Sequence, residues 1–119
     1  MTEWKRSNEP IAWSLFGAGG MVLAFMAPAL IIITGVLLPL AAADQAHTVY
    51  LTALTLATHP LGKLLLLVII ALPLFHTGHR MYHGLHDLHI YGPKWLLLGL
   101  FYGGATVLSL VAAFLLFSF

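Results

Sequence analysis

The chain has 119 residues, of which 61% are hydrophobic and only 8% are charged, with a formal net charge of +1 and no cysteine. Soluble domains carry about 25% charged residues, so five basic and four acidic side chains cannot cover a surface in water. This composition indicates an integral membrane protein. With no basic run longer than Lys5-Arg6, it excludes a nucleic-acid binder. The lack of cysteine excludes disulfides and iron–sulfur ligation by this chain.

Three apolar stretches are long enough to cross the hydrocarbon layer, which is about 30 Å thick and needs about 20 helical residues. They cover residues 11–40, residues 61–79 with a helical extension to about residue 88, and residues 95–118. We therefore predict an all-α membrane protein with three transmembrane helices in a single domain, residues 1–119. The first stretch mimics a cleavable leader, but it is much longer than a leader's apolar core of about 7–15 residues, so we expect a retained helix.

The second stretch has a strictly apolar part of only 12 residues, from Leu64 to Phe75. Twelve residues do not span, so we expect this helix to carry His76 and the residues after it to the membrane boundary. At its other end we expect Lys63 to snorkel outward. The mildly polar connection 41–60 is expected to be partly structured near the membrane surface.

Small residues at four-residue spacing occur in the first and third stretches, at Gly20 and Ala24 and at Gly99 and Gly103. Such residues let membrane helices pack closely. We therefore expect both helices to pack tightly on a neighbour, with the group Gly17-Ala18-Gly19-Gly20 at the contact of the first helix.

The basic residues are distributed unevenly between the loops. Lys5 and Arg6 precede the first span, Arg80 and Lys94 flank the second loop, and the first loop has no Lys or Arg before Lys63. The positive-inside rule then predicts a cytoplasmic N-terminus and second loop, and a periplasmic C-terminus.

The end of the second span holds five of the seven histidines within 14 residues. Residues three and four apart share a helix face. If the helix continues, His79, His83 and His86 form one stripe. An adjacent stripe holds His76, Arg80, His83 and Asp87.

Four interpretations of this cluster stay open. It can be a polar helix end that bonds to lipid headgroups and partner subunits, or a zinc site, although no cysteine or second acidic ligand accompanies His79 and His83. One histidine can instead be an axial haem ligand. The fourth is a quinone pocket, which needs hydrogen-bond donors at two oxygens and nearby proton acceptors. Arg80, a histidine and the indole N–H of Trp13 meet that need, although Trp13 can also be an aromatic-belt anchor, as we expect for Trp4 and Trp95.

Three stretches of the chain are recognisable in order: Lys5 to Met21, Leu72-Pro73-Leu74, and His79 to Leu88. Together they resemble the fumarate reductase D-subunit family, the smaller hydrophobic anchor of the four-subunit bacterial menaquinol:fumarate reductase. The resemblance covers nearly the whole chain, and only residues 41–60 match loosely.

This resemblance implies a multi-pass protein of the bacterial inner membrane that packs against the larger hydrophobic anchor, the C subunit, and holds the iron–sulfur and flavoprotein subunits at the cytoplasmic face. It also implies a menaquinol site at the interface with that larger anchor, which supplies electrons for fumarate reduction to succinate in anaerobic respiration. Trp13, His79 and Arg80 are similar to residues of that site, with His83 and Glu9 as further candidates. No haem is expected, flavin and iron–sulfur clusters lie only in partner subunits, and this chain is expected to hold neither catalytic residues nor a metal.

Two alternatives remain. One is a haem b-binding succinate dehydrogenase anchor, and the other is a small membrane transporter. Such transporters typically use an acidic residue deep in the membrane, whereas the four acids here lie outside the spans, at Glu3, Glu9, Asp44 and Asp87. Their positions argue against proton-coupled transport.

Overall fold

The computed structural model describes residues 9–118. Three of its helices are long and apolar enough to cross a membrane: α1 (Glu9–Leu40), α3 (Pro60–Asp87) and α4 (Lys94–Phe117). A fourth helix, α2 (Ala43–Thr58), connects α1 to α3. Within residues 9–118 there is no β-strand. The all-α fold with three membrane-spanning helices is therefore confirmed.

Local sequence suits the helical conformation near the beginning of α1 and of α3. Glu9 and Pro10 are the first residues of α1 that the structure describes; a carboxylate is favourable in the first turn of a helix, and the missing N–H of proline is tolerated there. α3 begins at Pro60, and the ring Nδ1 of His59 accepts a hydrogen bond from the Leu61 N–H at 3.2 Å. With 28 residues, α3 is about 42 Å long, so it extends beyond the hydrocarbon layer.

The connection between the first two spans is more ordered than the sequence indicates, since residues 43–58 form the 16-residue helix α2. The side chains of Thr48, Thr52, Thr55 and Thr58 each donate to the carbonyl four residues earlier, at 2.9 Å. Their hydroxyls are thus satisfied within the helix, which lowers the cost of placing α2 near lipid.

The helix α3 lies at the centre of the bundle, with α1 and α4 packed on it. At the α1 crossing, a Cβ on Gly19 would overlap the Leu72 carbonyl and lie 2.6 Å from the Cβ of His76. At the α4 crossing, a Cβ on Gly78 would lie 2.8 Å from the Phe101 carbonyl oxygen. Each crossing therefore requires glycine.

The predicted small-residue contacts are confirmed in part. Gly19 and Gly20 do meet α3, whereas a Cβ at Gly17, Gly99 or Gly103 would find nothing within 4 Å in the described chain. The last two instead bound a π-helical segment of α4, Gly99–Gly103, and α1 has a similar segment at Ile33–Leu37. The contact between α3 and α4 instead depends on Gly78 of α3, because the backbone carbonyl of Phe101 in α4 packs directly against it.

The prediction that Lys63 snorkels outward is wrong. Its side chain is only 7% exposed, and the ammonium lies 5.8 Å from the centre of the Phe117 ring at the end of α4. The attraction between a cation and an aromatic face offsets part of the cost of burying the charge. Lys63 therefore connects the first turn of α3 to the last turn of α4.

Candidate functional site

A cavity of about 620 Å³ opens at the end of the bundle that includes the start of α1, the end of α3 and the start of α4. Its lining comes from all three spans: Glu9, Ala12 and Trp13 of α1, His79, Tyr82, His83 and His86 of α3, and Lys94, Leu98 and Tyr102 of α4. Pockets for small organic ligands usually have about 300–1,000 Å³, an apolar lining and a few polar groups. This cavity has that size and that kind of lining.

The stripe of histidines predicted on α3 faces this cavity. The helix continues to Asp87, so His79, His83 and His86 lie one above the other along the cavity wall, as their spacing predicts. The ring centres of His79 and His83 are 4.4 Å apart. The predicted continuation of α3 and the shared face of these three histidines are confirmed.

His79 is the buried member of the stripe, with only 3% of its surface exposed. The rings of Trp13, Phe16 and His83 surround its imidazole, with centres 4.9, 4.8 and 4.4 Å away. On the remaining side, its Nδ1 lies 2.6 Å from the hydroxyl oxygen of Tyr102 on α4. The imidazole is thus held by contacts from both neighbouring helices.

The second ring nitrogen of His79, Nε2, is buried and has no hydrogen-bond partner among the described residues. A buried polar atom without a partner costs about 1–3 kcal/mol, so such atoms are rare and often mark a functional site. The neighbouring Trp13 is 56% exposed and His83 is also exposed, so both rings have room to move aside. A ligand oxygen that reached Nε2 would remove this cost.

The other predicted site residues fall into two groups. Trp13, His83 and Glu9 line the cavity together with His79. Arg80 does not line it, because successive residues of a helix point about 100° apart, and its side chain is exposed on another face of α3. The structure therefore brings four of the five candidates together and leaves Arg80 outside this cavity.

Tyr102, which lies 23 residues after His79 in an otherwise apolar span, was not predicted from the sequence as a site residue. A phenol in a membrane span is a signal that could have found it, since its hydroxyl needs a partner there. Tyr82 and Lys94 were also missed as lining residues. Among residues 9–118, no three His, Asp or Glu side chains converge as metal ligands would, so the zinc interpretation gains no support.

These features define a class of protein, namely a multi-pass membrane protein with an aromatic, histidine-lined cavity at one end of its helix bundle. The model of the fumarate reductase D-subunit family matches residues 3–117. The chain belongs to this family, which makes it a membrane anchor of fumarate reductase that works in a complex with other subunits.

Individual relatives agree with this assignment. The chain is 38% identical to the fumarate reductase D subunit of Vibrio cholerae serotype O1 (strain M66-2) over 116 residues, which cover 98% of this chain and 88% of the relative. It is 42% identical to the corresponding subunit of Haemophilus ducreyi over 112 residues, covering 92% and 90% of the two chains. The corresponding subunit of Actinobacillus succinogenes is 41% identical over 111 residues, with 93% and 91% covered.

Proposed function

We propose that this chain, together with a second membrane subunit, attaches the flavoprotein and iron–sulfur subunits of fumarate reductase to the bacterial inner membrane and forms part of a menaquinol site. The observation that carries the quinol proposal is the cavity lined by Trp13 and by His79, whose buried Nε2 has no hydrogen-bond partner among the described residues. The cavity lies at the end of the bundle that the charge distribution assigns to the cytoplasm.

The lining of the cavity suits a flat, two-oxygen headgroup. The rings of Trp13 and His83 line the cavity beside His79, and an aromatic ligand ring can stack on their faces. The indole N–H of Trp13 is a donor, and Nε2 of His79 is a polar atom without a partner among the described residues. These two groups recognise ligand oxygens, and the rings position the headgroup between them.

Oxidation of a quinol releases two electrons and two protons, and only the protons concern this chain's side chains. His83 and Glu9 line the same cavity, and both side chains are exposed. An imidazole and a carboxylate are both proton acceptors, so these two groups are placed to accept protons that the ligand releases. The iron–sulfur and flavin groups that partner subunits would hold supply the acceptors for the electrons.

A haem-binding anchor stays as the alternative, and one observation favours it. A haem ligand needs one free ring nitrogen on a histidine whose other nitrogen is fixed by a hydrogen bond, and His79 has this arrangement. A reduced-minus-oxidised optical spectrum of the purified complex separates the two, because only a haem protein shows haem bands.

The quinol proposal is tested by replacing one of two exposed tryptophans at the same end of the bundle. Trp13 lines the cavity and Trp95, which is 75% exposed, does not. We expect Trp13→Ala to remove about 1–3 kcal/mol of binding or transition-state interaction, which lowers quinol-driven fumarate reduction roughly 5- to 150-fold. Trp95→Ala should change it little.

A soluble artificial donor that bypasses quinol provides the second measurement. In assembled Trp13→Ala complex, fumarate reduction with this donor should persist, because the fumarate site lies in another subunit. A belt-anchor role for Trp13 predicts no selective loss of quinol-driven activity, and equal loss of both activities would show failed assembly instead. Copurification of subunits with covalent flavin and iron–sulfur clusters in mild detergent tests the anchoring part independently.

A further inference from the structure

The contact between Tyr102 and His79 is built by backbone features of two helices. Tyr102 lies in the π-helical segment Gly99–Gly103 of α4, and such segments often occur at functional sites. The Phe101 carbonyl of the same segment lies against Gly78, the residue before His79. Because Gly78 has no side chain, α4 comes close enough for the Tyr102 hydroxyl to reach Nδ1 of His79 at 2.6 Å.

We propose that Tyr102 is a positioning residue of the quinol site: its hydroxyl donates to Nδ1 of His79, keeps the imidazole proton on Nε2, and so presents Nε2–H as a fixed donor to one oxygen of the quinone headgroup. This inference rests on the proposed quinol function. It assigns a role to a residue that lines the same cavity and acts on the ligand through His79.

The direction of the hydrogen bond follows from the chemistry of the two groups. A neutral imidazole has one donor nitrogen and one acceptor nitrogen, and which nitrogen carries the proton depends on its partners. A phenolic O–H is a better donor than an imidazole N–H, and an imidazole nitrogen is a better acceptor than a phenolic oxygen. Tyr102 therefore makes Nδ1 the acceptor, which leaves the ring proton on Nε2.

A fixed donor at Nε2 has a consequence for the ligand. The carbonyl oxygen of a quinone can only accept a hydrogen bond, whereas the hydroxyl of a quinol can also donate one. Without Tyr102 the imidazole can adopt the other tautomer, in which Nε2 carries a lone pair toward the ligand and repels a carbonyl oxygen. Binding of the quinone form should then weaken more than binding of the quinol form.

The test uses the assembled complex with four variants: Tyr102→Phe, His79→Gln, the double variant, and the control Tyr50→Phe. Tyr50 is 60% exposed on α2, outside the cavity, so its variant removes a hydroxyl elsewhere. A glutamine amide at position 79 can place an N–H near the position of Nε2 but has no acceptor nitrogen in place of Nδ1. The measured quantities are kcat and KM for quinone reduction and quinol oxidation, and the rate with the soluble donor.

We expect Tyr102→Phe to lower kcat/KM for quinone reduction about 5- to 10-fold, mainly through KM, because one hydrogen bond is lost. The soluble-donor rate should not change, and quinol oxidation should lose less. In the His79→Gln background, the same change should cost about twofold or less, since the bond from Tyr102 to Nδ1 no longer exists there.

Two outcomes would overturn the inference. If Tyr102→Phe costs the same in both backgrounds, Tyr102 acts through packing and not through the imidazole. If Tyr102→Phe behaves like Tyr50→Phe while His79→Gln and Trp13→Ala lose quinol activity, the positioning role is wrong and the quinol site stands. If none of these variants affects the quinol reactions, the proposed function itself has failed.

Discussion

His76 and Phe16 join α3 to α1 through two contacts at one point. Nδ1 of His76 lies 2.8 Å from the carbonyl oxygen of Phe16, to which it donates a hydrogen bond. The two rings are also stacked, with centres 4.4 Å apart and planes only 5° from parallel. His76 is therefore a packing residue one helical turn from His79, and Phe16 contacts both histidines.

This relationship predicts a graded loss of stability. His76→Phe keeps an aromatic ring but removes the N–H donor, so we expect it to lower the stability of the α1–α3 packing by about 1 kcal/mol. His76→Ala also removes the ring and should cost more. The check is the thermal unfolding of the purified complex in detergent, with His47→Phe on the exposed surface of α2 as the control. Equal stability of the two His76 variants would contradict a contribution from stacking.

The glycine at the same crossing gives a second prediction. Gly19→Ala places a Cβ against the backbone carbonyl of Leu72, which cannot move without moving α3. Overpacking of this kind costs about 1–3 kcal/mol. Gly17→Ala introduces the same methyl group two residues earlier in open space of this chain. The amount of assembled complex in membranes, quantified by immunoblot, should therefore decrease for Gly19→Ala and stay near normal for Gly17→Ala. A decrease for Gly17→Ala alone would refute this account of the crossing.

The sequence predicts those features that depend on local pattern. Apolar length indicates three spans, and the spacing of three and four residues places His79, His83 and His86 on one face. The contacts that hold His79 were not predictable in the same way, because Tyr102 lies 23 residues later in the chain on another helix, and its position on that helix depends on the π-helical segment. The extent of helix in α2 was not predicted. Its threonines make this segment polar in composition, but their hydroxyls donate hydrogen bonds within the helix.

Membrane orientation follows from charge and gives the third prediction. Arg80 and Lys94 belong to the end of the bundle that holds the cavity, and Lys63 lies at the other end. The positive-inside rule then predicts that the cavity lies at the cytoplasmic face and residue 119 in the periplasm. A C-terminal fusion to a reporter that works only in the cytoplasm should be inactive, and a periplasm-dependent reporter should be active. The reverse pattern would exclude this orientation.

The fourth prediction separates Arg80 from its neighbour His79. Arg80 is exposed and lies outside the cavity, so within this chain it has no direct access to a ligand there. If it contributes to the quinol site, it does so at the border, through a charge interaction that water screens. We therefore expect Arg80→Ala to lower quinol-driven fumarate reduction only about 2- to 5-fold, less than Trp13→Ala does. Arg80→Lys keeps the charge and should retain most of the activity, measured in the same preparations with quinol and with the soluble donor. A loss for Arg80→Ala as large as that for Trp13→Ala, with normal soluble-donor activity, would show that the ligand also binds on the face of α3 that carries Arg80.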